Sequence, residues 1–269
     1  MGYRGDTGGK KVQARWSKQA SGRDNGAKES QGDGVTYELQ AVLWDMDGTL
    51  VDTEPYWYHA EVELLEEYGQ TWSVQQSEAL IGNALPLSAA VLQQAGVDLG
   101  VREIIDRLSR SVAHQVRQHV PWKPGARELL YELRAAAVPC ALVTMSESTL
   151  TREVLKHLPD DMFTVQVTGS SVARGKPEPD AYLLAATRLA EQHADMTELH
   201  IAGMVAIEDS LTGVTSALAA GLTTVGVPNI LPLDPQPGLH LWSTLAGKTP
   251  NDLAELFVTT TQTVPSHAK

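Results

Sequence analysis

Cysteine is almost missing from this 269-residue chain. Cys140 is the only one, so no intramolecular disulfide and no cysteine-based metal site can form. Aromatic residues make up only 6%, with two Phe. No apolar run reaches the roughly 18 residues of a membrane span. Residues 1–20 are rich in Gly and Lys and contain no apolar segment of signal-peptide type, so a secretory leader is not expected. Positive charge is scarce too: 21 Lys and Arg stand against 33 Asp and Glu, a net charge of −12. That balance disfavours nucleic acid and anionic membrane as partners. A reducing, cytoplasmic location is the expectation.

Hydrophobic residues supply 42% of the chain, enough for one domain with a real core or a core with a smaller insert. They are unevenly placed. Residues 1–37 hold 8 of the 22 glycines and almost no aliphatic side chains. The charge through Val35 is +3, against −15 for the remainder. Such a segment buries too little apolar surface to offset its ordering entropy, so it reads as a disordered leader. A basic tail for an acidic partner is the alternative.

Order is expected from Tyr37. Leu39–Trp44 is an apolar, β-prone run that ends abruptly in Asp45, as a buried strand feeding a loop does. Four helical signals follow, near Pro55–Tyr68, Gln75–Ile81, Leu87–Ala95 and Val101–His119, with no clear strand among them. Pro55 suits a first turn and Gly69 a C-terminal stop. Beyond Pro121 the pattern alternates. Helices are expected at Arg127–Ala137, Thr149–Leu158, Asp180–Gln192 and Leu211–Ala220. Strands are expected at Pro139–Thr144, Phe163–Thr168 and Leu222–Val227, with a short apolar run at Leu199–Met204. A final edge strand at Leu239–Leu245, a short helix at Asn251–Leu256 and a frayed end at 258–269 complete the reading. The fold class is therefore α/β, a doubly wound parallel sheet with an inserted helical domain. The expected division is a leader at 1–37, a core at 38–54 and 121–269, and an insert at 55–120. Folds of this class bind ligands at the carboxyl ends of their strands.

Four groups of polar residues fall at those ends. Asp45-Met46-Asp47-Gly48-Thr49 follows the first strand. Two carboxylates at i and i+2 can face one pocket if the chain turns at the glycine. One can then serve as nucleophile or metal ligand and the other as acid. A calcium loop would need more acids at alternate positions, and Thr49-Leu50-Val51 supplies none. Thr144 ends the second strand and Ser146 follows it. Their hydroxyls can bind a phosphate oxygen, or Ser146 can cap the next helix. Lys176 lies in Gly175-Lys176-Pro177-Glu178-Pro179-Asp180, either a fixed cation stiffened by prolines or a solvated turn residue. Glu208-Asp209-Ser210 supplies two acids suited to magnesium, or to a helix N-terminus. Together the four give a carboxylate pair, a hydroxyl, a cation and a second acidic pair. That set suits metal-assisted phosphoryl transfer.

The constellation resembles the haloacid dehalogenase superfamily over about residues 39–230. DMDGT at 45–49, Thr144, Lys176 in GKPEPD, and Glu208–Asp209 in EDS are similar to its four motifs. The insert resembles the small helical cap of the β-phosphoglucomutase-like subgroup. The resemblance implies that Asp45 attacks phosphorus and that Asp47 is the acid and then the base. It implies that Thr144, Lys176 and the backbone amides of Met46 and Asp47 hold the phosphoryl group. It also implies Mg2+ on Asp45, the Asp47 carbonyl and Asp209, with Glu208 bound directly or through water. Ser146 and Glu147 are expected near the leaving group, and Glu54 at the cap hinge as a substrate contact. Trp57, His59, Trp72 and Asn83 are possible cap-lining residues. The superfamily's dehalogenases lack an acid where Asp47 stands. The mutases carry a His where Trp57 stands and a cap Arg absent from Gly82-Asn83-Ala84-Leu85. The resemblance therefore implies a Mg-dependent phosphatase of a small phosphorylated metabolite, such as a sugar phosphate. A phosphomutase is the alternative, and a non-catalytic phosphate-binding module the more distant one. A monomer is expected, and a dimer is compatible.

Overall fold

A computed structural model describes residues 38–192 and 200–259. The expected leader at 1–37, Leu199 and the last ten residues lie outside the described residues.

Six parallel strands form one sheet in the order β3-β2-β1-β4-β5-β6. They are β1 (Ala41–Trp44), β2 (Cys140–Val143), β3 (Val165–Val167), β4 (Met204–Glu208), β5 (Thr223–Gly226) and β6 (Leu239–Leu241). The strand order reverses beside β1, and that switch point is where such sheets open a crevice. Between β1 and β2 the chain forms α1 (Glu54–Glu66), α2 (Val74–Glu78), α3 (Leu85–Gln94) and α4 (Val101–Gln118). The remaining helices are α5 (Ala126–Ala135), α6 (Ser148–Leu155), α7 (Asp180–Gln192), α8 (Leu211–Ala219) and α9 (Pro250–Thr259).

The period-2 alternation of β1 sorts its side chains between two cores. Val42 and Trp44 face the core shared with α5, α6, α9 and the helical insert. Ala41 and Leu43 face the other core, where Ala181, Ala185 and Ala186 let α7 approach closely. The insert has its own apolar seam. Ile104, Leu108, Val112 and Val116 of α4 recur at helical spacing and are buried. α1 ends as the sequence indicates: Gly69 adopts φ +68°, and Gln70 N–H closes on the Leu65 carbonyl at 3.0 Å.

Two crossing segments tie the insert to the sheet. Asp52 N–H donates to the Pro121 carbonyl at 2.7 Å, and Lys123 N–H to the Leu50 carbonyl at 3.0 Å. Beside them the Asn229 amide donates to Asp52 at 3.2 Å and accepts from Lys123 Nζ at 2.7 Å.

Three elements differ from the sequence expectation. Within the described residues the expected apolar run near 199–204 is a 3-10 turn at Ile201–Gly203 with the first strand residue, and β4 runs on to Glu208. A carboxylate ends this strand in full burial because an ammonium meets it there. β6 stops at Leu241 rather than Leu245, and α9 extends from Pro250 to Thr259.

Candidate active site

Strand register brings the four sequence groups to one edge. Trp44 is level with Leu142 of β2 and Ile207 of β4. Asp45, Val143 and Glu208 therefore stand side by side just beyond. Asp45 N–H donates to the Ile207 carbonyl at 3.0 Å, which extends the ladder by one residue and holds the Asp45 side chain at the crevice.

Lys176 is the centre of the cluster and is buried, so the solvated-turn reading does not hold. Its ammonium lies 2.7 Å from Asp45 Oδ1, 2.7 Å from Glu208 Oε1 and 2.9 Å from the Val143 carbonyl. All three ammonium protons thus have acceptors. Burial pushes the Lys176 pKa down, but Asp45 and Glu208 outweigh it and hold Lys176 above its ordinary value. Tyr182 of α7 also donates to Glu208 Oε1, at 2.5 Å. Glu208 Oε2 is buried with no partner among the described residues.

Asp47 is fixed by four donors. Thr53 Oγ1 and Trp57 Nε1 reach Oδ1 at 2.5 and 3.3 Å. Thr144 Oγ1 and Ser146 Oγ reach Oδ2 at 3.2 and 2.7 Å. Ser146 is thus not a helix cap. Glu147 occupies the N-cap position of α6 without a capping bond. Its carboxylate pairs with Arg102 of α4 at 2.9 Å and does not line the cavity, contrary to the leaving-group expectation. Ser210 does cap α8, accepting from Gly213 N–H at 3.1 Å.

Asp45, Glu208 and Asp209 place carboxylate oxygens within 4.8 Å of one another. One lysine sits among three buried carboxylates. Burial raises Asp45 to about 7, with Glu208 and Asp47 adding to the rise and Lys176 opposing it. Asp209 is also raised well above the ordinary range, by burial and then by Asp45. This is a deficit of positive charge, and an all-oxygen donor set of this kind fits a hard divalent cation. The backbone leaves room beside it. Gly48 adopts φ +85°, and a Cβ there would stand 2.0 Å from Asp209 Oδ2. A Cβ on Gly213 would stand 1.9 Å from Glu208 Oε2.

A cavity rises from Asp45, Asp47 and Lys176 into the helical insert. Trp57, Asn83 and Glu54 line it. Glu54 is raised to about 8, by burial first and then by Asp47. The Met46 side chain is wholly buried, which leaves only its backbone for a ligand. His59 is exposed and lies against Tyr58. Trp72 instead donates its indole N–H to buried Glu61. Sequence reasoning passed over Glu61, Thr53 and Tyr182. Thr53 could have been singled out by its place beside the hinge acid. The other two have no local signal.

Fold and site together define an α/β enzyme whose centre is a carboxylate cluster around one lysine beneath a helical cap. The family model for haloacid dehalogenase-like hydrolase matches residues 42–227. A phosphorylated carbohydrates phosphatase of Thermotoga maritima is 30% identical over 196 residues, covering 70% of this chain and 84% of that protein. The fructose-1-phosphate phosphatase YqaB of Escherichia coli is 30% identical over 194 residues, 71% of this chain and 98% of that protein. A β-phosphoglucomutase structure from Clostridium difficile superposes with a TM-score of 0.67 at 18% identity, over 82% of this chain and 98% of that one, which is a likeness of fold. The chain belongs to the haloacid dehalogenase-like hydrolases and is a phosphoric monoester hydrolase of that family.

Proposed function

We propose that this enzyme is a Mg2+-dependent phosphatase of a small phosphorylated metabolite, a sugar phosphate or similar, working through an aspartyl-phosphate. The observation that carries the reading is the Lys176 ammonium held 2.7 Å from Asp45 with Asp47 fixed two residues away. Support also comes from relatives named as phosphatases of phosphorylated carbohydrates and of fructose 1-phosphate.

In this mechanism Asp45 Oδ attacks phosphorus as the P–O ester bond breaks. Asp47 gives a proton to the departing alkoxide. Water then attacks the aspartyl-phosphate, Asp47 takes its proton, and phosphate leaves with Asp45 restored. Lys176, Thr144 and the amides of Met46 and Asp47 hold the phosphoryl oxygens. Ser146 shares Asp47 with Thr144 and keeps it oriented. Asp45, Asp209 and the Asp47 carbonyl would hold Mg2+, with Glu208 directly or through water. When bound, the ion neutralises phosphoryl charge and keeps Asp45 ionised. Glu54 and the cap close over the leaving group and exclude water.

A phosphomutase must bind a second phosphate on the cap side. Among the described residues, Lys176 is the single basic side chain lining the cavity, and it faces the core. The phosphatase reading is therefore preferred. A cytoplasmic location and a monomer are proposed with it. Among the described residues no helix is long and apolar enough to cross a membrane.

The test is phosphate release from a panel of phosphorylated metabolites, with Mg2+ or with EDTA, beside Asp45→Asn. Release that needs both Mg2+ and Asp45 is expected. Full rates in folded Asp45→Asn would sink the nucleophile assignment. Conversion to an isomeric phosphate in place of release would turn the reading to a mutase.

A further inference from the structure

The cap end of the cavity holds a carboxylate that the mechanism does not use. Glu61, on α1, is 5% exposed and lines the cavity. Both of its protein donors fall on one oxygen. Trp72 Nε1 reaches Oε2 at 2.9 Å and Ser77 Oγ reaches it at 2.5 Å. Oε1 takes no hydrogen bond from any described residue. Desolvation of a carboxylate is costly unless its lone pairs are used. Two donors on Oε2 fix the side chain, and Oε1 remains as an acceptor with no donor supplied by the protein. Around it the wall is mixed: Leu80 and Leu108 are apolar, Ser88 and Asn83 are neutral and polar. A second anion brought into this end would meet the Glu61 carboxyl with no cation opposite.

We propose that Glu61 selects the leaving group, accepting a hydrogen bond from a hydroxyl of an uncharged polyol half and turning away substrates with a second phosphate or carboxylate. This rests on the phosphatase reading above and narrows it to polyhydroxylated monophosphates.

Three probes on one six-carbon skeleton test it: sorbitol 6-phosphate, hexyl phosphate and sorbitol 1,6-bisphosphate, with p-nitrophenyl phosphate as a generic ester. In the wild type, kcat/KM for sorbitol 6-phosphate should exceed that for hexyl phosphate by roughly 10- to 100-fold, the worth of one hydrogen bond to a charged acceptor. It should also exceed that for the bisphosphate, whose second anion finds no cation in this end of the cavity. Glu61→Gln is the informative variant. Its amide oxygen can still accept from Trp72 and Ser77, while its NH2 turns a donor toward the cavity. A substrate hydroxyl can still accept from that NH2, so the preference for sorbitol 6-phosphate over hexyl phosphate should shrink by roughly 5- to 10-fold, chiefly through KM, because the charge assistance of a binding contact is what is removed. A purely structural Glu61 would lower both substrates together, and that result overturns the inference. So does a wild type that hydrolyses hexyl phosphate or the bisphosphate as well as sorbitol 6-phosphate, with the phosphatase reading left standing. No release from any probe, the aryl ester included, removes the phosphatase reading and this inference with it. Should Glu61→Gln fail to fold, the wild-type ratios decide.

Discussion

The indole N–H of Trp57, in the first cap helix, lies 3.3 Å from Oδ1 of Asp47, at the end of the first core strand. One hydrogen bond thus joins the cap to the residue assigned proton transfer. The same oxygen takes Thr53 Oγ1, the residue before the helix. The hinge and the acid are therefore positioned together.

Trp57→Phe keeps the apolar ring and removes the donor. Thr53, Thr144 and Ser146 still hold Asp47, so it should remain in place with more freedom. We expect kcat/KM to fall roughly 10-fold, the lower end for a hydrogen bond to a charged acceptor, with little change in thermal stability. Steady-state kinetics beside a melting curve checks this. Loss of activity that matches loss of folded protein would show Trp57 to be packing alone.

Gly48→Ala should damage both stability and metal use. The φ of +85° disfavours a Cβ, and that atom would stand 2.0 Å from Asp209 Oδ2. The conformational part alone costs about 1–2 kcal/mol. Pushing Asp209 aside should raise the Mg2+ concentration needed for half-maximal activity. Magnesium titration of the folded variant measures it. An unchanged Mg2+ midpoint would separate Asp209 from metal binding.

Much of this site was legible because its residues interrupt apolar runs. Asp45 ends β1, Thr144 follows β2, and the proline-rich segment around Lys176 precedes α7. What was not legible depends on distance through the fold. Tyr182 reaches Glu208 only because α7 packs on the sheet face opposite the cap. Glu61 reads as one more charge in a Glu-rich helix, and its burial follows from α2 folding back to present Ser77. The apolar run at 199–204 marks only the beginning of β4, which continues to Glu208 because Lys176 lets a carboxylate finish the strand in the core. Ser146 looked like a cap because the pattern before α6 fits one, and Asp47, 99 residues away in sequence, claims its hydroxyl.

Glu54 offers a pH test in metal-free protein. Its pKa is raised to about 8, by burial and then by Asp47 and Glu61. A raised carboxylate binds its proton more tightly in the folded state. Its contribution is full below the unfolded value near 4.5 and is lost as pH rises through about 8. Glu54→Gln fixes the neutral form. In EDTA the variant should match the wild type near pH 4 and exceed it by roughly 2 kcal/mol near pH 9, a value discounted for partial solvent screening. Thermal unfolding across that range reads the difference. A variant equally or less stable at pH 9 would show that the ionised carboxylate is accommodated at no cost.

The cap also meets the core through charge. Glu153 of α6 accepts from Arg117 of α4 at 3.1 Å and from Lys156 at 2.9 Å. Those bonds, Arg117 first, hold Glu153 down to about 2. The sign is opposite to that of Glu54: this contribution is present above about 4.5 and is lost as pH falls through about 2. Arg117 and Lys156 are 60% and 63% exposed, so solvent and salt screen the pair. Glu153→Gln should therefore cost on the order of 1 kcal/mol at pH 7, well short of what the shift alone implies. The loss should shrink toward pH 2 and in molar salt. Catalysis adds a second reading. Arg102 and Arg117 lie in the first and last turns of α4, and each pairs with the core, so weakening one pair should loosen the cap without touching the carboxylate cluster. KM for a substrate that fills the cap should rise, while release from a small phosphate ester that leaves the cap empty should hold. A rise in both KM values would place the effect in the core.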